Sequence, residues 1–300
     1  MRPRTSALVI SASCALALAG CASGTSGGAP SATSTSITEQ KQAAVAKLLP
    51  ASVATSGTVR VGVALGSPPD EFQDQNKNIV GWEVDIVTAA AQSMGLKVQF
   101  VPVSFDSLIP GLQANRFDAA IGQLGVTSAR EQVVDFVTTL QSDEEFAART
   151  NSGITISTLT DLCGHSVAVT RGSREYDFAQ TQSAACTKAG SKPVTIGVFE
   201  DDASATLSLT SGRSDLYWSG ATAVSYFVAN TNGVTKVVGS YLKPNPIGIA
   251  MPKNSGMAQA MKAAVQQLMN DGAYKKIIAK WGLGQQGIAT AAVDPTLAAR

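Results

Sequence analysis

The chain has 300 residues, of which 44% are hydrophobic, 15% charged and 6% aromatic, with a formal net charge of +1. A balance this close to neutral excludes the electrostatic footprint of a nucleic-acid binder, and a single histidine, His165, gives a His-based metal cluster or a Ser-His-Asp triad little to build on. At about 100–200 residues per domain, the length allows one large or two medium domains with ample material for a core.

Arg2 and Arg4 precede an apolar run, Ala7–Ala19, that is shorter than the ~20 residues of a membrane span. The run ends Leu18-Ala19-Gly20-Cys21, which resembles a bacterial lipobox: small residues for a peptidase cleft, then a thiol for diacylglycerol attachment. Residues 1–20 read as a lipoprotein signal peptide and Cys21 as the lipid anchor; an ordinary secretory signal with a chance cysteine is the alternative. Losing residues 1–20 removes Arg2 and Arg4 and no acid, leaving 21 basic against 22 acidic residues, a charge of −1. Residues 22–36, ASGTSGGAPSATSTS, are too small and polar to pack a core and read as a flexible tether. A weak helix is expected over Glu39–Leu49, before Pro50, so that 21–55 forms anchor, tether and helix.

Thr58–Ala64 is the first expected core strand, followed by a proline-fixed turn, Ser67–Phe72, and a second turn, Asp74–Asn78. Ile86, Ala89, Ala90 and Met94 make a helical stripe over Glu83–Gly95, ended by Gly95. Lys97–Val103 is strand, Asp106 is placed to cap a helix carrying Leu108, Ile109 and Leu112, and Ala119–Ile121 is strand again. Gly122 and Gly125 then break the chain into a turn before a helix start at Thr127 or Ser128, with Arg130 in its first turn and a strand at Val133–Phe136. Main-chain donors beside a guanidinium outline an anion site. A surface arginine paired with Glu131 or Asp135 is the plainer reading of Arg130.

The pattern restarts with strand Ser166–Thr170, helix Ser173–Lys188, strand Val194–Phe199, helix Ala203–Ser211, strand Leu216–Trp218, helix Ala221–Asn230 and strand Val234–Val238. After Pro244-Asn245-Pro246 come strand Gly248–Met251 and helices Met257–Asn270 and Tyr274–Trp281; the tail after Gly284 reads as frayed. Strands alternating with helices argue for a parallel α/β sheet, in which ligands bind beyond the carboxyl ends of strands. Two such ends, the turn at 122–130 and Thr170–Ser173, suggest a ligand held between two lobes. Arg171 and Arg174 beside the second loop read as solvated. Cys163 and Cys186 in an exported chain are most simply a disulfide, closing a loop of about 22 residues and contributing roughly 3 kcal/mol.

Pro68–Phe72 (PPxEF), Val80–Ile86 (VGWEVDI), Phe105–Asp118, Gly125–Phe136 (GVTSAREQVVDF), Ile247–Gly256 and Asp271–Leu283 stand in the order seen in family 3 solute-binding proteins, the receptors of polar amino-acid ABC transporters, which the chain resembles over roughly 57–284. Asp161–Cys186 is similar to that family's disulfide-bearing branch. The resemblance implies a type II periplasmic-binding-protein-like α/β fold: lobe 1 from 56–141 and 246–284, lobe 2 from 142–245, hinges near Leu140–Asp143 and Lys243–Pro246, and a tail at 285–300. It implies no cofactor, no metal and no catalysis. The expected partners are a carboxylate-bearing small molecule, an ABC permease and its ATPase, with the chain a monomer anchored to the outer face of the cell membrane.

By the same resemblance Arg130 is the carboxylate clamp, Phe105 the aromatic platform under the ligand, and Gly172-Ser173 the second-lobe pair that meets the carboxylate on closure. The full ligand-binding set is Ser67, Asp70, Phe105, Gln123, Leu124, Gly125, Arg130, Arg171, Gly172, Ser173 and Ser219. The departures are as informative. Gln123 and Gly125 stand where the family has a Gly or Ser and a Thr or Ser, Ser67 and Asp70 replace aromatics, and Gly220 stands where the family has the aspartate that pairs with the ligand ammonium. A buried ammonium without a counter-charge is costly, so either another acid serves (Asp70 foremost, then Glu200, Asp201 or Asp202) or the ligand is not an ordinary α-amino acid. A ligand sensor without transport, or a dehydratase or lyase on the same fold, are the competing expectations.

Overall fold

The computed structural model describes residues 38–295. The signal segment, Cys21 and the 22–36 tether lie outside the described residues. The described residues start with two short helices, α1 (Ala43–Ala46) and α2 (Ala51–Ser56), rather than one over Glu39–Leu49. Pro50 sits at the N-cap of α2 with φ −55°, where its missing N–H costs nothing.

The first α/β unit runs β1 (Thr58–Val63), the two-residue strands β2 (Phe72–Gln73) and β3 (Ile79–Val80), α3 (Trp82–Met94), β4 (Lys97–Pro102), α4 (Leu108–Gln113), β5 (Ala119–Ile121) and α5 (Ser128–Glu131). Strand β6 (Val134–Arg149) leads to the second unit: β7 (Ser166–Thr170), α6 (Arg174–Lys188), β8 (Thr195–Phe199), α7 (Asp202–Thr210), β9 (Leu216–Gly220) and α8 (Ala221–Ala229). Strand β10 (Thr235–Pro252) returns to the first, where α9 (Met257–Asp271) and α10 (Ala273–Lys280) complete it. The strand order β4-β1-β5-β10-β6-β9-β7-β8 is parallel at both ends and antiparallel where β10 and β6 join its neighbours.

Each lobe buries both faces of its part of the sheet. Val59, Val61 and Val63 of β1 pack under α3, α9 and α10, whereas Ala120 of β5 faces Leu108, Leu112, Phe117 and Phe136. In the second lobe Val167, Val169 and Trp218 share a core with Phe146, and the alternate residues Ala168 and Tyr217 pack against Val224 on the other side. Burial on both faces explains the nearly continuous apolar strands.

The largest departure from the expected elements is in the crossing strands. Val133–Phe136, Val234–Val238 and Gly248–Met251 do not end where their apolar patterns do. They belong to β6 and β10, of 16 and 18 residues, which pair with each other across both lobes. The ladder slips between Tyr241 and Asn245, opposite Ser142–Glu144. Asp106 is not a helix cap either; its Oδ1 accepts from Ser104 Oγ at 2.6 Å, and α4 has no side-chain cap.

Nor are residues 285–295, after Gly284, frayed. Gln141 N–H donates to Gln286 O at 3.0 Å, Thr138 N–H to Ala292 O at 3.0 Å, and Asp294 Oδ1 accepts from Phe136 N at 2.7 Å. Lys253 Nζ ties Asp135 and Asp294 together at 2.8 Å each. The tail thereby covers the backbone of β6 on the side away from β10 within the first lobe.

Cys163 and Cys186 form a disulfide across 23 residues, joining the entry to β7 with the end of α6. In the chain-entropy account a loop of that size contributes about 3 kcal/mol. Replacing both cysteines by serine is therefore expected to lower the unfolding free energy by about that amount in urea denaturation; an unchanged midpoint and slope would contradict it.

Candidate functional site

The turn after β5 is built by contacts from distant elements. Glu83, buried in the first turn of α3, accepts from the N–H groups of Gly122 (2.9 Å) and Gln123 (2.7 Å). Val126 N–H donates to Pro246 O at 2.8 Å. These bonds hold the turn rigid, and three of its N–H groups are committed to protein rather than to a ligand. Gln123 sits at φ +50°. Helix α5 is a single turn capped by Thr127, whose hydroxyl accepts from Arg130 N–H at 3.2 Å. One turn has little macrodipole, so the anion-binding character rests on the Arg130 guanidinium itself.

Arg130 is well placed for that. Nη1 donates to Gly125 O at 2.8 Å within its own lobe, and Nη2 to Gly172 O at 3.1 Å across the cleft. Its guanidinium lies 5.7 Å from the centre of the Phe105 ring. Burial lowers its pKa from the usual arginine value, opposed by the charge of Glu175.

Arg130 opens onto a cavity between the lobes. Ser67, Phe105, Gln123, Gly125, Arg130, Ser173 and Ser219 all line it. Ser173 Oγ accepts from Tyr176 N–H at 3.1 Å as the N-cap of α6, which leaves its proton to offer inward.

The other sequence candidates lie elsewhere. Leu124 is buried in the Leu108–Phe117–Phe136 core. Arg171 is 51% exposed at the rim, with Glu200 at 2.8 Å and Asp106 at 3.9 Å. Gly172 contributes its carbonyl to Arg130 rather than a cavity wall. Asp70 is fully buried outside the lining, accepting from Trp82 Nε1 on one oxygen and from Thr222 Oγ1 at 2.9 Å on the other. Its position follows from Gly81, where any side chain would overlap the Asp70 carbonyl, so the 67–71 loop is stitched to the start of α3.

Arg174 is not solvated: only 14% of its side chain is exposed, and it is ion-paired with the buried Glu144. Cross-cleft bonds made wholly by protein groups accompany it. Gln123 Nε2 donates to Thr222 Oγ1, and Ser67 Oγ donates to Asp202 Oδ2 at 2.5 Å. A side chain at Gly220 would overlap the Gln123 carboxamide, so these two positions share one space. Asp202 also accepts from Thr170 Oγ1 (2.8 Å) and Ser219 Oγ (3.3 Å), Asp201 caps α7 through Ser204 N–H, and Glu200 holds Arg171.

Seven acids line the cavity (Glu71, Asp143, Glu144, Glu175, Glu200, Asp201, Asp202) against two arginines, and of these sequence reasoning named only Glu200, Asp201 and Asp202. Glu71 is 1% exposed and shares a hydrogen bond with Glu83; burial, then the charges of Glu83 and Asp70, push its pKa well above the usual range. Glu83, with two backbone donors, is the one that stays ionised more readily, though burial raises it too. Glu71 Oε2, Asp143 Oδ1 and the Trp218 indole N–H are buried without a protein hydrogen-bond partner among the described residues. The only sequence signal for Glu71 and Glu83 was their place inside the PPxEF and VGWEVDI motifs.

The chain matches the family model described as bacterial extracellular solute-binding proteins, family 3, over residues 59–285. It is 32% identical over 239 residues to the arginine-binding protein of Corynebacterium glutamicum, covering 79% of this chain and 78% of that one. It is 26% identical to the L-cystine-binding protein of Escherichia coli, over 75% of this chain and 82% of the relative. An ancestral arginine-binding protein solved with arginine superposes with a TM-score of 0.69 at 32% identity, covering 75% of this chain and 98% of that one.

Proposed function

The chain belongs to the family 3 extracellular solute-binding proteins, and on that footing we propose that it captures a cationic α-amino acid, arginine or a near analogue, for an ABC importer. The observation that carries this reading is the charge of the cavity: one carboxylate grip, Arg130, faces an excess of acids, among them Glu71, whose buried Oε2 has no hydrogen-bond partner among the described residues. A guanidinium or ammonium supplies the missing donors there, while Arg130 takes the carboxylate. Relatives named for arginine agree with this chemistry. Capture is lobe closure, with ligand contacts biasing an open–closed equilibrium that pivots where the β6–β10 ladder slips at Tyr241–Asn245. On this reading Cys21 is the lipid attachment point that keeps the receptor at the outer face of the membrane beside its permease.

Titration calorimetry with arginine, lysine, ornithine, glutamine, glutamate and cystine tests the reading. Arginine or another cationic member is expected to bind at least about 100-fold tighter than glutamate, since glutamate would bury a second anion among acids. Preference for glutamate or for a neutral amino acid would refute it.

A further inference from the structure

The cavity wall at Gly220 carries no carboxylate, and the acids first considered for an ammonium are otherwise engaged: Asp70 by Trp82 and Thr222, Asp202 by three hydroxyls, Asp201 by the start of α7, and Glu200 by Arg171 at the rim. Strand pairing points to another source. In the antiparallel ladder between β6 and β9, Glu144 is the direct partner of Gly220, as Phe146 is of Trp218. Directly opposed residues project from the same face of a sheet, with Cβ positions about 5 Å apart. The Glu144 side chain therefore projects from the same face of the sheet as Gly220, where the Gln123 carboxamide takes the space of the missing side chain. Glu144 is 2% exposed and lines the cavity.

We propose that Glu144, reaching over from the neighbouring strand, supplies the carboxylate that meets the α-ammonium of the ligand in the space beside Gly220. Three further observations support the assignment. Beyond its ion pair with Arg174, neither Glu144 oxygen accepts a hydrogen bond from another described residue. A carboxylate has about four lone-pair sites, so Arg174 and an ammonium can both be served. Arg174 also reaches Gly125, since a Cβ there would lie 2.9 Å from its Nε, and the Gly125 carbonyl is held by Arg130. Glu144 is thus one side chain removed from the carboxylate grip, as the adjacent charges of an α-amino acid require. Gln123, filling the space beside Gly220, makes the remaining room narrow and neutral, so it positions the ammonium toward β6 rather than binding it as an ion.

The assignment rests on the cationic α-amino acid reading, and the test separates the two. Arginine and 5-guanidinopentanoate, which is arginine without its α-amino group, are titrated into wild type and Glu144→Gln. Losing one charged partner is expected to weaken arginine by about 30-fold or more in Glu144→Gln, while the des-amino analogue changes by less than about threefold. Glu144→Asp should restore part of the arginine affinity. Equal weakening of both ligands, or of neither, overturns the assignment. Should Glu144→Gln fail to fold, the doubly neutral Glu144→Gln/Arg174→Gln variant carries the same comparison. If wild type prefers a non-cationic amino acid, the charge reading falls and Glu144 is tested by that amino acid against its own des-amino counterpart. Absence of binding to any α-amino acid overturns both.

Discussion

Arg130→Ala is expected to abolish measurable capture of any carboxylate ligand while leaving the fold intact. A forked guanidinium–carboxylate contact is among the stronger charge-assisted bonds, and removing it from a partly buried site costs about 3 kcal/mol, more than 100-fold in affinity. The loss should exceed that of the carboxylate contact alone, because the same side chain links Gly125 in one lobe to Gly172 in the other. Arg130→Lys keeps the charge but not the fork, and should recover only part of the affinity. Calorimetry reads the first effect, and small-angle scattering reads whether the free variant is more open than wild type. An alanine variant that binds arginine within threefold of wild type would remove Arg130 from the site.

The sequence carried the elements better than it carried their joins. Alternating apolar stretches marked β1, α3, β5 and β7 because each buries its apolar residues against its own lobe. The crossing strands were illegible in the apolar pattern, which Ser142–Glu145 and Lys243–Pro246 interrupt, and only the family resemblance placed hinges there. What keeps them strand is mutual pairing between segments about a hundred residues apart, together with the bulge at Tyr241–Asn245. The tail was missed for a similar reason: its bonds run through Asp294, Lys253 and Thr138 to backbone, and no hydrophobic periodicity announces them.

The site divides along the same line. Arg130, Phe105 and Ser173 follow local motifs and line one cavity. Asp70 shows the limit, since a proline-rich turn with an acid reads as solvent-facing or ligand-facing. Its burial is decided by Trp82 in the next helix and by Thr222 in the other lobe. Glu71, Glu83 and Glu144 escape composition-based reasoning altogether, because charged residues are rarely fully buried unless a partner from elsewhere is already in place.

The Glu71–Glu83 pair gives the second large expectation, a coupling of ligand affinity to pH. Buried against another carboxylate, Glu71 holds its proton well above the ordinary glutamate value of about 4.5. The folded state therefore binds more protons than the unfolded chain above that value. The stability from this group is complete below about pH 4.5 and is lost as pH rises through the raised folded value. Thermal unfolding should accordingly show a falling midpoint from mildly acidic toward alkaline pH, and Glu71→Gln, permanently neutral, should flatten that fall. Ligand binding runs the other way. A guanidinium seated on Glu71 needs the carboxylate, so capture of arginine should expel the shared proton, and affinity should climb with pH by up to about tenfold per unit until Glu71 ionises unaided. Calorimetry in two buffers of different ionisation enthalpy counts the protons released, and Glu71→Gln should release none from this pair and bind arginine with a flat pH profile. An arginine affinity independent of pH between 5 and 8 in the wild type, with no proton release, would place the cationic end of the ligand away from Glu71.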